Sequence, residues 1–402
     1  MTAPVESLPS VGERRMPHLD GLRGLAALAV VAHHTIPVLK PLEFGTLGVN
    51  LFFVLSGFLI SSILFDARTK SARLLGTRKQ IVWAFYARRF LRIAPPYFLV
   101  LGVAIALGFP NTRETAPYTL TYTTNFLFCW RGEFSGPPVS HLWTLAVEEQ
   151  FYLILPFVVL LCPYRVLPAA VGALVAAGPL CRVLIFTVTG SWESAALFPL
   201  SNFDTLGAGV LLALFRTHLP HIWTGLLRYR AVILSVGFMM LVTCYALQSL
   251  EAGWKVRVVL WSFSQAIIFV YLIDRAARGF TGVFGRIFSL RPIIYLGTIS
   301  YGVYLYHEFV PLAVQYVERV CGVSFGLPPQ GWRCFVVVSG LTLALASLSW
   351  ALIERPLNGL KRCFPYTGTG ESVGPERPEI VNDLRDDSRP LNEIRTGAGA
   401  SR

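Results

Sequence analysis

The sequence of 402 residues has few charged side chains. Asp, Glu, Lys and Arg make up 14% of it, against about 25% in soluble domains. Too few charges are therefore available to cover the surface of a soluble protein of this size. Apolar side chains make up 54%, and apolar runs long enough to cross a bilayer recur along most of the chain. The composition excludes a soluble two-domain protein and predicts a polytopic membrane protein.

Cysteine shows no pattern that would indicate a disulfide framework. The seven cysteines are an odd number and are scattered, without the spacing of metal ligands or of redox pairs. Most of them lie inside apolar runs, where cysteine packs as a small hydrophobic side chain. We therefore predict neither a disulfide framework nor a bound metal ion.

The formal net charge of +12 does not come from one basic domain. The basic residues lie in short loops between apolar runs, which is typical of membrane topology and of a site for an anionic co-substrate. We expect no nucleic-acid partner. The first apolar run lacks a small-residue cleavage site, so we expect it to remain as a helix rather than to be removed as a signal peptide.

Apolar runs of about 17–25 residues predict membrane-spanning helices, and one shorter run is added to them. The ten runs are 22–39, 47–65, 92–109, 143–161, 166–186, 204–215, 231–249, 257–273, 292–316 and 333–353. Gly207 and Gly209, near the start of the short sixth run, favour close helix packing. With a cytoplasmic N-terminus, basic loop residues fall on the cytoplasmic side more than about twice as often as outside. The prediction is an all-α membrane bundle of about ten spans in the cell membrane, with both termini cytoplasmic.

Three regions follow from these runs. Residues 1–17 form a polar N-terminal segment, and residues 18–363 form the membrane domain. Residues 364–402 are rich in Pro, Gly, Asp, Glu and Arg without apolar periodicity, which predicts a disordered cytoplasmic tail. We find no internal repeat and no second globular domain.

Ionisable residues at membrane depth are costly and are therefore functional candidates. Arg23 and His34 of the first run are eleven positions apart, so they share a helix face about 16 Å apart along the axis. We expect Arg23 at the cytoplasmic mouth and His34 near the middle of the membrane. A neutral imidazole there could take a proton from an alcohol, although a hydrogen bond to nearby backbone is the alternative. His33 points about 100° away and is the weaker candidate.

Two arginines enter the third apolar helix ahead of a proline pair. Arg89 and Arg92 are three positions apart and share a face, as a phosphate clamp requires. Anchoring under the positive-inside rule is the alternative, but it does not explain why the arginines enter the apolar helix.

Adjacent carboxylates, Glu148 and Glu149, lie inside the fourth run. Such a pair is costly unless each member is paired or protonated. They point to different faces, and Glu148 shares a face with His141, so one of them could serve a site. A structural ion pair is the alternative for each.

Further polar residues indicate a substrate pocket. Ser300, Tyr304 and His307 form a stripe on one face of the ninth run. This stripe predicts either an interior hydrogen-bond network or the lining of a cavity. Asn50 in the second run fits either core packing or the same pocket. We assign Asn50, His141, Tyr304 and His307 to the pocket.

Together these blocks resemble the membrane-bound acyltransferase-3 family over roughly residues 18–360. The matching elements, in order, are Leu19 to Gly24, the pair Arg23 and His34, Phe52 to Phe58, the pair Arg89 and Arg92, Leu142 to Tyr152, Ser300 to His307, and Glu354 to Pro356. Thr144 stands where the family has serine. The resemblance implies ten helices and O-acylation, often O-acetylation, of carbohydrates or glycoconjugates. Without a fused SGNH domain, the chain resembles the stand-alone members.

The resemblance also implies a mechanism. An acyl-CoA, in the simplest case acetyl-CoA, is expected as co-substrate, with no permanently bound cofactor and no metal. Its phosphates would meet Arg89 and Arg92, with Arg23 near the mouth, because the arginine fork binds phosphate oxygens in pairs. His34 would deprotonate the acceptor hydroxyl or briefly carry the acyl group, and Glu148 would orient the imidazole or handle the proton.

A transporter or flippase of a polar substrate is the rival prediction, because intramembrane His, Arg and Glu also mark transport pathways. The lack of a repeat between the two halves and the ordered set of motifs argue against it. A catalytically inactive scaffold or sensor is a third possibility, and it predicts that substitution of His34 has no effect.

Overall fold

The computed structural model describes residues 16–74, 77–250 and 253–366. All regular structure in these ranges is helical. The helices are α1 (Pro17–Thr35), α2 (Phe44–Leu74), α3 (Arg78–Ala106), α4 (Thr112–Leu120), α5 (Thr124–Arg131), α6 (Leu142–Leu161), α7 (Leu167–Thr189), α8 (Trp192–Leu197), α9 (Phe203–Thr217), α10 (Pro220–Arg228), α11 (Arg230–Ala246), α12 (Gly253–Arg278), α13 (Gly282–Phe288), α14 (Arg291–Tyr306), α15 (Phe309–Cys321), α16 (Trp332–Ser349) and α17 (Arg355–Gly359). Residues 1–15 and 367–402, most of the predicted N-terminal segment and tail, lie outside the described residues.

Nine of the ten predicted runs each overlap one α-helix, and the ninth extends over two. Within the described ranges, six helices are long and apolar enough to cross a membrane. If the bent pair of α10 and α11 is counted as one span, the number is seven. The sixth run is the short helix α9, of 15 residues, as expected. The all-helical membrane class is confirmed, whereas ten spans and cytoplasmic termini stay predictions.

The third helix begins well before its predicted start at residue 92. The Thr77 side chain accepts a hydrogen bond from the Gln80 backbone N–H at 3.2 Å, which caps the first turn of α3. Ile81 and Phe85 are then buried on the inner face. Arg89 and Arg92 therefore lie within a continuous helix, one turn apart, as the predicted clamp requires.

Glycines allow the helices that carry the site to pack closely. A β-carbon on Gly297 of α14 would collide with the backbone carbonyl of Asp20 in α1. Gly57 of α2 and Gly209 of α9 make a similarly close backbone approach to each other. Gly207 instead packs on a side chain of α7. Small residues at such crossings are the usual means of close helix packing in membranes.

The ninth predicted run, 292–316, is not one helix. α14 ends at Tyr306 and α15 begins at Phe309, so His307 and Glu308 form a two-residue turn between them. Both side chains are buried, with 2% and 5% of their surface exposed. Because the helix breaks here, two consecutive polar side chains can both enter the interior.

Candidate functional site

A small cavity lies where α1, α2, α3, α6 and α14 meet, and we call it the arginine cavity. Its polar lining consists of Arg23, Ser56, Arg89, Arg92, Thr144, Glu148, Tyr152, Ser300, Tyr301 and Tyr304. The volume is about 60 Å³. The structure thus brings together the three arginines that separate motifs had indicated.

Positive charge exceeds negative charge around the arginine cavity. The guanidinium groups of Arg23, Arg89 and Arg92 are near enough to repel one another. Lys361, from the short 3-10 segment Leu360–Cys363, lies close to the same three groups. Glu148 is the only carboxylate in the lining formed by described residues. This excess of guanidinium donors suits an anionic group such as phosphate.

Glu148 faces the arginine cavity and not His34. Its Oε1 accepts a hydrogen bond from Ser56 Oγ at 2.9 Å. Arg89 lies with its Cζ 4.8 Å from the centre of the neighbouring Tyr152 ring. The expectation that Glu148 orients the His34 imidazole is therefore corrected, because another carboxylate occupies that position.

Four ionisable side chains meet near the C-terminal end of α1, and we call them the histidine–glutamate cluster: His34, His141, His307 and Glu308. Glu308 is at its centre. Its Oε1 lies 3.1 Å from His34 Nδ1, and its Oε2 lies 3.2 Å from His141 Nδ1. The rings of His34 and His307 are 5.2 Å apart between centroids.

His34 is the exposed member of this cluster. Its side chain is 39% exposed, whereas no more than 5% of His141, His307 or Glu308 is exposed. Because α1 spans Pro17–Thr35 rather than 22–39, His34 lies at the end of the helix and not at its middle. Its Nδ1 faces Glu308, which leaves Nε2 for a substrate.

Tyr304 connects the two groups of residues. Its hydroxyl lies 2.6 Å from Thr144 Oγ1 and donates to the His141 backbone carbonyl at 3.1 Å. Its own backbone carbonyl lies 2.6 Å from His307 Nδ1. Tyr304 therefore lines the arginine cavity and also supports the histidine–glutamate cluster.

Asn50 belongs to neither group. Its side-chain amide donates to Gln265 Oε1 at 2.7 Å, and both residues are buried. This contact joins α2 to α12, which matches the alternative of core packing.

Two site residues were missed by the sequence reasoning. Glu308 was visible as a carboxylate in an apolar run, but in an unbroken helix it would point about 100° away from His307. Lys361 is one of several basic residues after the last apolar run, and the sequence does not distinguish it from Arg355 or Arg362. The end of α14 has a sequence signal, because Pro311 has no N–H to donate to the His307 carbonyl four positions earlier. The fold of the 3-10 segment onto α3 has none.

A metal ion is the other species that this cluster could hold. His34, His307 and Glu308 offer ligand atoms that all lie within 4.8 Å of one another. Two imidazoles and a carboxylate are a set that transition metals accept. The expectation of no metal stays a prediction.

Comparison with known sequences extends over most of the chain. The family model described as an acyltransferase domain, that of acyltransferase-3, matches residues 16–350. Peptidoglycan O-acetyltransferase OatA of Listeria monocytogenes is 30% identical over 383 residues, which cover 87% of this chain and 57% of that protein. O-acetyltransferase OatA of Staphylococcus aureus is 25% identical over 374 residues, which cover 86% of this chain and 57% of that protein. The chain thus spans a little over half the length of these relatives. No solved structure matches it.

Proposed function

This chain belongs to the acyltransferase-3 family, and from that premise we propose that it is a membrane O-acyltransferase. It moves an acyl group, in the simplest case acetyl, from acyl-CoA to a hydroxyl of a carbohydrate. The observation that carries this proposal is the placement of a cation-rich cavity and an exposed histidine along one helix, α1. The names of the relatives make a peptidoglycan fragment the first acceptor to test.

The arginine cavity suits the phosphates of the donor. Arg23, Arg89 and Arg92 present rigid forks that bind phosphate oxygens in pairs, and Lys361 adds a further positive charge nearby. The cavity is narrow, at about 60 Å³, and we expect the surrounding side chains to adjust when a phosphate enters.

The separation of the two groups fits the length of the donor. Arg23 and His34 are about 16 Å apart along α1. Three backbone bonds span about 3.5 Å when extended, so the twelve bonds from phosphate ester oxygen to sulfur in the pantetheine arm span roughly 14 Å. A phosphate held at the arginines therefore lets the thioester reach His34.

His34 suits the chemical step. In the direct route, Nε2 takes the proton of the acceptor hydroxyl as its oxygen attacks the thioester carbonyl. The carbon–sulfur bond then breaks, and the proton passes from His34 to the leaving thiolate. In the alternative route, Nε2 carries the acyl group between donor and acceptor. Both routes need Nε2 free and accessible.

The test is acyl-CoA turnover by purified, detergent-solubilised protein with carbohydrate acceptors. We expect acceptor-dependent release of CoA thiol, an acylated acceptor in the mass spectrum, and loss of both in His34→Ala. Release that survives His34→Ala removes this residue from the mechanism. Absence of release with every acceptor contradicts the proposal and favours the transporter alternative.

A further inference from the structure

Hydrogen-bond partners determine where two protons lie in the histidine–glutamate cluster. His307 Nδ1 lies 2.6 Å from the Tyr304 carbonyl, and His141 Nε2 lies 3.1 Å from the Leu305 carbonyl. A carbonyl oxygen only accepts, so each of these nitrogens carries a hydrogen. In the neutral form, the other nitrogen of each ring therefore presents a lone pair. For His141 that nitrogen is Nδ1, which lies 3.2 Å from Glu308 Oε2.

The Glu308 carboxylate is buried, and an ionised carboxylate inside the protein needs donors around it. Ser140 Oγ donates to Oε2 at 2.6 Å. The ring nitrogens next to the carboxylate are His34 Nδ1, 3.1 Å from Oε1, and His141 Nδ1, 3.2 Å from Oε2.

We propose that Glu308 is a positioning residue for acyl transfer, which holds His34 with its proton on Nδ1. This inference rests on the proposed role of His34. The 3.1 Å contact of Oε1 with His34 Nδ1 then leaves the Nε2 lone pair available to the acceptor hydroxyl. When Nε2 takes the hydroxyl proton, the carboxylate stabilises the imidazolium that forms.

The first test is a split between kcat and KM. Glu308→Gln should lower kcat by roughly 100-fold or more, the usual contribution of a positioned base. KM for acyl-CoA should stay within about twofold, because the arginine cavity is untouched. Glu308→Asp should recover part of kcat. Glu114→Gln is the matched control, since Glu114 is an exposed carboxylate that pairs with Arg131, and it should keep the wild-type kcat.

Wild-type kcat in Glu308→Gln, alongside an inactive His34→Ala, would overturn the inference while leaving the proposed function intact. A wild-type chain without any turnover would instead contradict the proposed function. The two failures are thus distinguishable.

The second test needs no activity and is a metal analysis of the purified protein. Less than stoichiometric metal is the result expected. Stoichiometric zinc or manganese would overturn the inference, because a metal ion would then occupy the contact between Glu308 and His34.

Discussion

The arginine cavity and the histidine–glutamate cluster, both of which include a residue of α1, differ in the charge that each would accept. In the lining of the arginine cavity, three guanidinium groups face one carboxylate, while Asp20, Glu149 and Glu354 interact with these arginines from outside the lining, so the lining itself suits an anion. In the histidine–glutamate cluster, the Glu308 carboxylate contacts two imidazole nitrogens and one hydroxyl, so it suits a proton or another cation. Uncompensated polar groups are costly in an interior. The comparison indicates that the arginine cavity binds a charged donor and that the histidine–glutamate cluster moves a proton.

One buried ion pair elsewhere in the described chain is complete. Arg182 pairs with Asp204 at 2.6 Å and donates to the backbone carbonyls of Val258 and Ser201. This ion pair joins α7 to α9 and needs no ligand. Burial of a charge alone therefore does not identify the site.

The largest effect should come from removing the base. His34→Ala should lower kcat by roughly 10²- to 10⁴-fold, because positioned proton transfer contributes that much. The control is His33→Ala, the same change one position earlier on a face that packs on Gly45. Initial rates of CoA release measure both variants. Equal losses in the two would mean that the end of α1 has a structural role only.

Weakening phosphate binding in the arginine cavity should change KM rather than kcat. Arg92→Lys keeps the charge but loses the fork, so KM for acyl-CoA should rise about tenfold, equivalent to ~1.4 kcal/mol. kcat should change little. Arg78→Gln, on an exposed position of the same helix, serves as the control. A fall in kcat at unchanged KM would contradict a role in donor binding.

A smaller effect in the same direction is expected at Lys361. Lys361→Gln should raise KM by about three- to fivefold, since a partly exposed charge contributes at most about 1 kcal/mol. The effect should shrink as salt is added, because salt screens exposed charges. Arg362→Gln, the exposed neighbour, should leave KM unchanged, and an equal rise in both variants would point to general surface charge.

The smallest effect should come from the residue that joins the two ends. Tyr304→Phe removes the hydroxyl contacts with Thr144 and the His141 carbonyl. We expect a loss of stability of about 1 kcal/mol and a fall in kcat of less than about tenfold. Tyr295→Phe, exposed on the same helix, is the control for melting temperature and rate. If Tyr304→Phe changes neither the melting temperature nor the rate, the Tyr304 hydroxyl has no role in supporting the histidine–glutamate cluster.

The sequence predicted the helical runs and the donor end better than the proton-transfer end. Arg89 and Arg92 are three positions apart in α3, and Arg23 and His34 are eleven positions apart in α1, so helical geometry predicts that the members of each pair share a face. Glu308 was not placed, because the predicted run continued through it, although Pro311 indicates that a helix ends nearby. Glu148 was given the role that Glu308 occupies, since sequence shows a costly carboxylate but not its partner. Contacts between distant elements are not encoded in local spacing.

The most direct measurement compares acetyl-CoA with acetyl-pantetheine, which has the same thioester but no phosphates. The account predicts that the wild-type chain strongly prefers acetyl-CoA, and that the double change Arg89→Gln and Arg92→Gln removes most of this preference. Use of acetyl-pantetheine by the double variant should stay near the wild-type level, because His34 and Glu308 are untouched. Equal losses with both donors would contradict the central claim that the two ends of α1 divide donor binding from proton transfer.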